Sequence, residues 1–333
     1  MLRRSSQHPI DLRINIPAYG TGRSWFRSVY IDVLASLLYP HRARIASFEI
    51  TSVSWEHHSL LLDIFTEARL PLLRSFVVRC LYVKDQEFTL EFPAVTHRQN
   101  VCPVPFVDSK TSGRFYPNLK EIFLLGTFCD WTKFSGCNLT SITLAQIPFN
   151  ERPTVRQLRS ILSTSKDTLK VLKIDGALPS GEYEDGITLE MSQIETLSLF
   201  YTIPLELSSF ATHFRVPALK NLEIVNLDGL FVPPVHTETR TAFEKITRHF
   251  PIEKLEEVRL SDVRFGPGLY HGLLAHAEPL ELLRRLGKGL RRMKFEVEEH
   301  CFVWFEGMEG AERSLETWKR LVELSFTAES RSD

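Results

Sequence analysis

A six-residue frame with apolar residues at its first, fourth and sixth positions recurs along the chain. It reads Ile45-Phe48-Ile50, Leu73-Phe76-Val78, Leu119-Ile122-Leu124, Leu139-Ile142-Leu144 and Leu169-Leu172-Ile174. It continues as Ile194-Leu197-Leu199, Leu219-Leu222-Ile224, Leu255-Val258-Leu260, Leu290-Met293-Phe295 and Leu321-Leu324-Phe326. Because about a third of the residues are Leu, Ile, Val, Met or Phe, chance supplies about a dozen such triplets, and the triplets alone prove nothing. Their context does more. Pro71, Pro117 and Pro217 each stand two residues before the first apolar position. Proline cannot continue a helix and pushes its predecessor towards extended geometry, so each one closes an element and releases the chain into a short strand.

The intervals between frames carry helical periodicity. Residues 59–69 put Leu61, Ile64, Phe65 and Ala68 on one face, and residues 154–165 do the same with Val155, Leu158, Ile161 and Leu162. The second of these opens with Thr154 and Gln157 as a capping box, and residues 241–249 open similarly with Thr241 and Glu244. Residues 205–214, 278–288 and 312–320 also read as helices. Strand follows helix each time, with frames starting 20 to 46 residues apart, near a leucine-rich repeat but longer and uneven.

One such unit cannot bury its apolar face alone. The expected fold is therefore an α/β leucine-rich-repeat solenoid, horseshoe-like, with a parallel sheet on the concave face and helices on the convex face. A single domain over residues 1–327 is expected, followed by a polar tail at 328–333. Residues 84–115, with Pro93, Pro103 and Pro105 and the alternating Phe88-Leu90-Phe92 just inside, read as an insert between repeats. The apolar run Cys301 to Phe305 marks residues 297–310 as a capping segment.

Composition narrows the class without naming it. Of 333 residues, 45 are leucine, the one excess that points anywhere. Forty basic against 41 acidic side chains leave a net charge of −1, so no whole-chain field favours nucleic acid or a membrane surface. The five cysteines are Cys80, Cys102, Cys129, Cys137 and Cys301, an odd number without a Cys-x-x-Cys pair, which argues against a disulfide framework. No apolar run reaches membrane-spanning length and no secretory h-region follows Met1, so a cytoplasmic or nuclear monomer is expected.

The segment Arg4-Ser5-Ser6-Gln7-His8-Pro9-Ile10-Asp11-Leu12 resembles one found in the F-box-like leucine-rich-repeat family of mushroom-forming fungi. The same likeness extends through Tyr116-Pro117-Asn118-Leu119-Lys120-Glu121-Ile122, Leu139-Thr140-Ser141-Ile142-Thr143-Leu144 and Val216-Pro217-Ala218-Leu219-Lys220-Asn221-Leu222-Glu223-Ile224. It covers nearly the whole chain, and its specificity lies in the order of degenerate motifs. The resemblance implies a partner-recognition arm, the substrate-selecting repeat region of a ubiquitin ligase subunit. In that family an F-box module precedes the repeats and docks on the Skp1-type adaptor. No Leu-Pro-x-Glu-type opening stands in this sequence, so adaptor binding is expected only if an F-box lies upstream of it. A free-standing repeat scaffold without a ligase link is the competing expectation.

Period-two alternation places the third, fifth and seventh frame positions on the concave face. Most are polar: Ser47, Glu49 and Thr51; Ser141 and Thr143; Asn221 and Glu223; Glu257, Arg259 and Ser261. In the middle repeats Phe123 and Leu125, Val171, Phe200 and Val225 turn this face apolar, with Phe128 and Trp131 beside them. The expected partner-binding residues are accordingly Phe123, Leu125, Phe128, Trp131, Phe200, Val225 and Arg259, set to hold a protein.

Chemistry-bearing motifs are sparse. Gly176 and Gly181 have P-loop spacing, but Glu182-Tyr183 replaces the Lys-Ser/Thr pair that would neutralise phosphate. The pairs His57-His58 and His271 with His276 lack the i,i+4 geometry of a helical metal site, and Glu298-Glu299-His300-Cys301 would need ligands from elsewhere. Six cations lie between Arg284 and Lys294 with Glu281, Glu296, Glu298 and Glu299 nearby, which reads as a solvated face. No enzyme activity, cofactor, metal or nucleic-acid partner is expected.

Overall fold

In the computed structural model each frame that can be followed is a parallel β-strand, and its apolar positions form the core. The structure describes residues 8–16, 24–52, 61–62, 70–81, 116–127, 131, 138–179, 188–227, 236–261 and 292–296. The chain is α/β and divides into two compact units, Met1–Leu169 and Lys170–Asp333.

The first unit holds β1 (Ile10–Ile16), α1 (Ser24–Leu38), β2 (Ile45–Ser52), β3 (Ser75–Cys80), β4 (Glu121–Leu125), β5 (Ser141–Ala145) and α2 (Val155–Ser163). Its sheet runs in chain order from β1 to β5, each strand parallel to the next. The second unit holds β6 (Val171–Asp175), β7 (Leu189–Glu190), β8 (Thr196–Tyr201), α3 (Pro204–His213), β9 (Phe214–Arg215) and β10 (Asn221–Asn226). It continues with α4 (His236–His249), β11 (Glu257–Ser261) and β12 (Arg292–Glu296). Its main sheet is ordered β6-β8-β10-β11-β12, again parallel, while β7 and β9 form a separate two-stranded ribbon.

The strands align frame on frame. Phe48 pairs with Phe76, Phe76 with Ile122 and Ile122 with Ile142 in the first unit. In the second, Leu172, Leu197, Leu222, Val258 and Met293 fall in one row. From Ile45 to Leu260, the frame side chains are at most 2% exposed. The rings of Phe48 and Phe76 stack 5.6 Å apart within this layer.

Two details repeat at equivalent places. The carbonyl at the second frame position accepts two amides from the start of the next strand: Arg74 from Lys120 and Glu121, Lys120 from Thr140 and Ser141. In the second unit Lys170 accepts from Glu195 and Thr196, Glu195 from Lys220 and Asn221, and Lys220 from Glu256 and Glu257. The three prolines each sit inside a tight turn, closed by the amides of Leu73, Leu119 and Leu219 on the carbonyls of Leu70, Tyr116 and Val216 at 3.2, 3.2 and 3.1 Å. Proline fixes the second turn residue and the chain enters the strand immediately afterwards.

Among the described residues the helix readings hold with one correction. Thr154 opens α2 with its predicted capping box: its hydroxyl accepts from the Gln157 amide at 3.2 Å and its amide donates to the Gln157 side chain at 2.9 Å. The helix read over 205–214 is α3, opening on Pro204, where the missing amide costs nothing. Glu206, buried in its first turn, accepts from the Thr202 amide and hydroxyl, each at 2.9 Å. The correction concerns α4, which starts at His236 and not at Thr241. A Thr-x-x-Glu pattern fits inside a helix as well as at its start, so the spacing alone misplaced the boundary. The helices read over 278–288 and 312–320, the insert 84–115, the segment 297–310, the frame at Leu321, the tail and most of 59–69 lie outside the described residues. Leu61 and Leu62 of that last stretch are helical and buried.

In three of the frames the eighth position takes left-handed backbone, which the frame itself does not display, whereas Ser52, Cys80, Tyr201 and Asn226 fill it elsewhere without a positive φ. The three are Gly126, Gln146 and Gly176, with φ of 62°, 49° and 56°. The amide of Gly126 donates to Ala145 and that of Gly176 to Phe200, at 2.9 and 3.0 Å. Left-handed backbone at the strand end turns that amide towards the neighbouring strand, and glycine adopts it without penalty. A Cβ on Gly126 would lie 2.5 Å from the Cys80 carbonyl oxygen. Gly126→Ala is therefore expected to lower unfolding free energy in urea titration by about 2 kcal/mol or more, from left-handed strain plus that clash. Gln146→Gly, which relieves strain while loosening the unfolded chain, is expected to stay within about 1 kcal/mol of wild type.

Candidate functional site

The sheet surface opposite the frame side chains is a lattice of short rows, one residue per strand. In the first unit the rows are Asp11, Ser47, Ser75, Glu121 and Ser141; then Arg13, Glu49, Val77, Phe123 and Thr143; then Asn15, Thr51, Arg79, Leu125 and Ala145. Phe123 and Leu125 are half-buried there, as alternation predicts. Beside them lies a charged ladder: Arg13 hydrogen-bonds Glu49 at 2.9–3.0 Å, Arg79 pairs with the same carboxylate, and the Arg79 guanidinium stands 4.7 Å over the Phe123 ring. Partial burial opposes charge on Glu49, but the bonds and charges of the two arginines outweigh it and hold its carboxyl below the usual range.

In the second unit the rows are Val171, Thr196, Asn221 and Glu257; Lys173, Ser198, Glu223 and Arg259; and Asp175, Phe200, Val225 and Ser261. Phe200 and Val225 are adjacent across β8 and β10 and half-buried. Arg259 is exposed and bonds Glu223 at 2.9 Å. Asp175 beside Phe200 carries a carboxyl raised above its ordinary value, first by burial and then by the charge of Glu223.

Trp131 leaves the candidate set. It is 6% exposed, and its indole N–H donates to the Glu151 carbonyl at 2.8 Å, so it fills core space and ties down the turn before α2. Phe128 lies outside the described residues, as do His57-His58, His271, His276, Glu298 to Cys301, Gly181 and all of the cation run except its end on β12. Gly176, the other half of the P-loop-like spacing, serves the backbone turn described above. Cys80 is free and buried, and burial pushes its thiol up to about 12, which keeps it protonated and unreactive at neutral pH.

Residues missed by the frame also shape the surface. Arg79 occupies the seventh frame position of its strand, so alternation puts it on this face, and Arg13 lies on β1, whose Ile10, Leu12, Ile14 and Ile16 alternate without matching the frame. The helix α1 adds a separate exposed apolar stripe of Tyr30, Val33 and Leu37. Among the described residues, no group of three or more His, Cys, Asp or Glu side chains is placed to hold a metal, and no helix is long and apolar enough to cross a membrane. No protein-family model, no curated protein and no solved structure matches the chain.

The Asp175 carboxyl makes a testable demand. A carboxyl whose folded value is raised penalises the folded state wherever the unfolded chain is ionised, so the penalty grows as pH rises through the ordinary value near about 4. Calorimetry on Asp175→Asn is expected to show a higher Tm than wild type at pH 7, with the gain shrinking to nothing near pH 3. A lower Tm at pH 7 would show that the carboxylate is stabilising.

Proposed function

We propose that the recurring coil is a leucine-rich repeat of the solenoid class and that the chain is a non-catalytic protein-interaction module, working as the substrate-recognition region of an F-box-type ubiquitin ligase subunit in the cytoplasm or nucleus. One observation carries the interaction reading. The strand surface turned away from the core is not uniformly polar: it keeps Phe123 and Leu125 in one unit, and Phe200 and Val225 in the other, half out of the core among charged and hydroxyl neighbours. A solvated sheet face has no use for aromatic rings there, whereas interfaces anchor on aromatics with a polar rim. The carbonyls of Arg74, Lys120, Lys170, Glu195 and Lys220, each shared by two amides at the same frame position, support equivalence of the repeats. The ligase link rests on the family resemblance. A stand-alone scaffold uses the same surface and differs only in lacking the adaptor.

Phe123→Asp and Phe200→Asp, introduced singly, are each expected to reduce partner recovery in affinity purification by at least about tenfold while leaving the melting curve within a few degrees of wild type. Unchanged recovery from both variants would contradict the assignment of this face. Recovery of a Skp1-type adaptor with the wild-type chain favours the ligase reading, and recovery of partners without it favours the scaffold.

A further inference from the structure

Arg79 is positioned for a ligand that its neighbours do not supply. Its bond to Glu49 uses one guanidinium nitrogen, and no other hydrogen bond from the guanidinium is made among the described residues. The guanidinium carbon stands 4.7 Å over the Phe123 ring, and the side chain is 31% exposed. Glu49 is shared with Arg13, itself 77% exposed, so a single negative charge faces two positive ones. Among the described residues, the remaining carboxylates of this face, Asp11 and Glu121, lie in the row four residues back along the strands, and Glu121 accepts the Ser75 hydroxyl. Four strand residues span about 13 Å, beyond the screening length of about 8 Å at physiological salt. The row of Arg79 otherwise holds Asn15, Thr51, Leu125 and Ala145, none of them acidic. Among the described residues the result is a pre-oriented, planar, half-dried guanidinium whose charge is uncompensated, bordered on one side by Phe123 and Leu125. A planar fork of this kind matches a carboxylate.

We infer that the strand face of the first unit takes an acidic segment of a partner protein, one Asp or Glu carboxylate bonding to Arg79 and an adjacent apolar side chain resting on Phe123 and Leu125. This deepens the interaction reading and rests on it. Arg13 sets the outer edge of the site and keeps Glu49 neutralised when Arg79 is engaged.

The test is selection of random displayed peptides on the full chain, followed by binding of the synthetic peptides recovered. Peptides carrying Asp or Glu beside a bulky apolar residue are expected. Changing that acid to its amide, or Arg79→Gln in the protein, should each weaken binding about tenfold or more, with the two changes together costing little beyond either one. Arg79→Lys should fall between, since it keeps the charge and loses the fork. Glu49 keeps Arg13 in both variants, and an unchanged circular dichroism melt checks the fold. Peptides lost with Phe123→Glu but indifferent to Arg79→Gln would overturn the acidic-partner inference and leave the interaction reading standing. No peptide dependent on Phe123 would sink both, whether the face is idle or covered by the chain itself. Arg79-dependent displacement of the peptides by a single-stranded oligonucleotide binding more tightly than they do would also overturn it, in favour of phosphate.

Discussion

A β-strand that pairs in parallel cannot meet its partner by a hairpin; the chain must travel away, turn and come back on the same side. Every main-sheet pairing described within either unit is parallel, so each strand obliges the chain to make another circuit. The frame makes the circuits commensurate. Its first, fourth and sixth side chains fill the core, which fixes the register, and the register delivers two amides at the start of one strand to a single carbonyl just ahead of the preceding strand in the sheet. Buried backbone groups left unpaired would be costly, so this shared acceptor and the apolar wedge hold only together.

That arrangement also explains where function can reside. With the first, fourth and sixth frame positions committed to the core, the third, fifth and seventh are displaced to a common surface and arranged in rows across strands. On such a lattice, residues far apart in sequence become neighbours at fixed distances, as Arg13, Glu49, Arg79 and Phe123 do. The two units furnish their surfaces differently. In the first an arginine has more guanidinium than its carboxylate can satisfy; in the second Glu223 has its own arginine while Asp175 is left with burial and a like charge. Both are conditions that a binding partner can relieve, and neither improves stability by itself.

Much of this was legible in the sequence because burial of one face of a short parallel strand demands a rigid spacing. The apolar frame, the proline that precedes it and the Thr154–Gln157 box all express local constraints, and each appears where it was expected. The outward positions of Phe123, Leu125, Phe200, Val225 and Arg259 followed from alternation alone. What escaped was set by contacts outside the frame. The β1 strand, at the edge of the sheet, alternates over its whole length and lacks the frame's rhythm. Trp131 looked like a surface anchor because nothing local announces the Glu151 carbonyl that receives its N–H. Left-handed backbone at the eighth position occurs in three frames only, and Gln146 takes it beside Gly126 and Gly176, so no residue type announces it.

Amide hydrogen exchange, resolved to single residues by fragmentation mass spectrometry, addresses the shared-carbonyl ladder directly. The account predicts that the amides of Lys120 and Glu121, Thr140 and Ser141, Glu195 and Thr196, and Lys220 and Asn221 belong to the slowest-exchanging class in their units, protected together with the frame amides of the same strands. Exchange of these paired amides at the rate of exposed loops, while the rest of each strand stays protected, would contradict it.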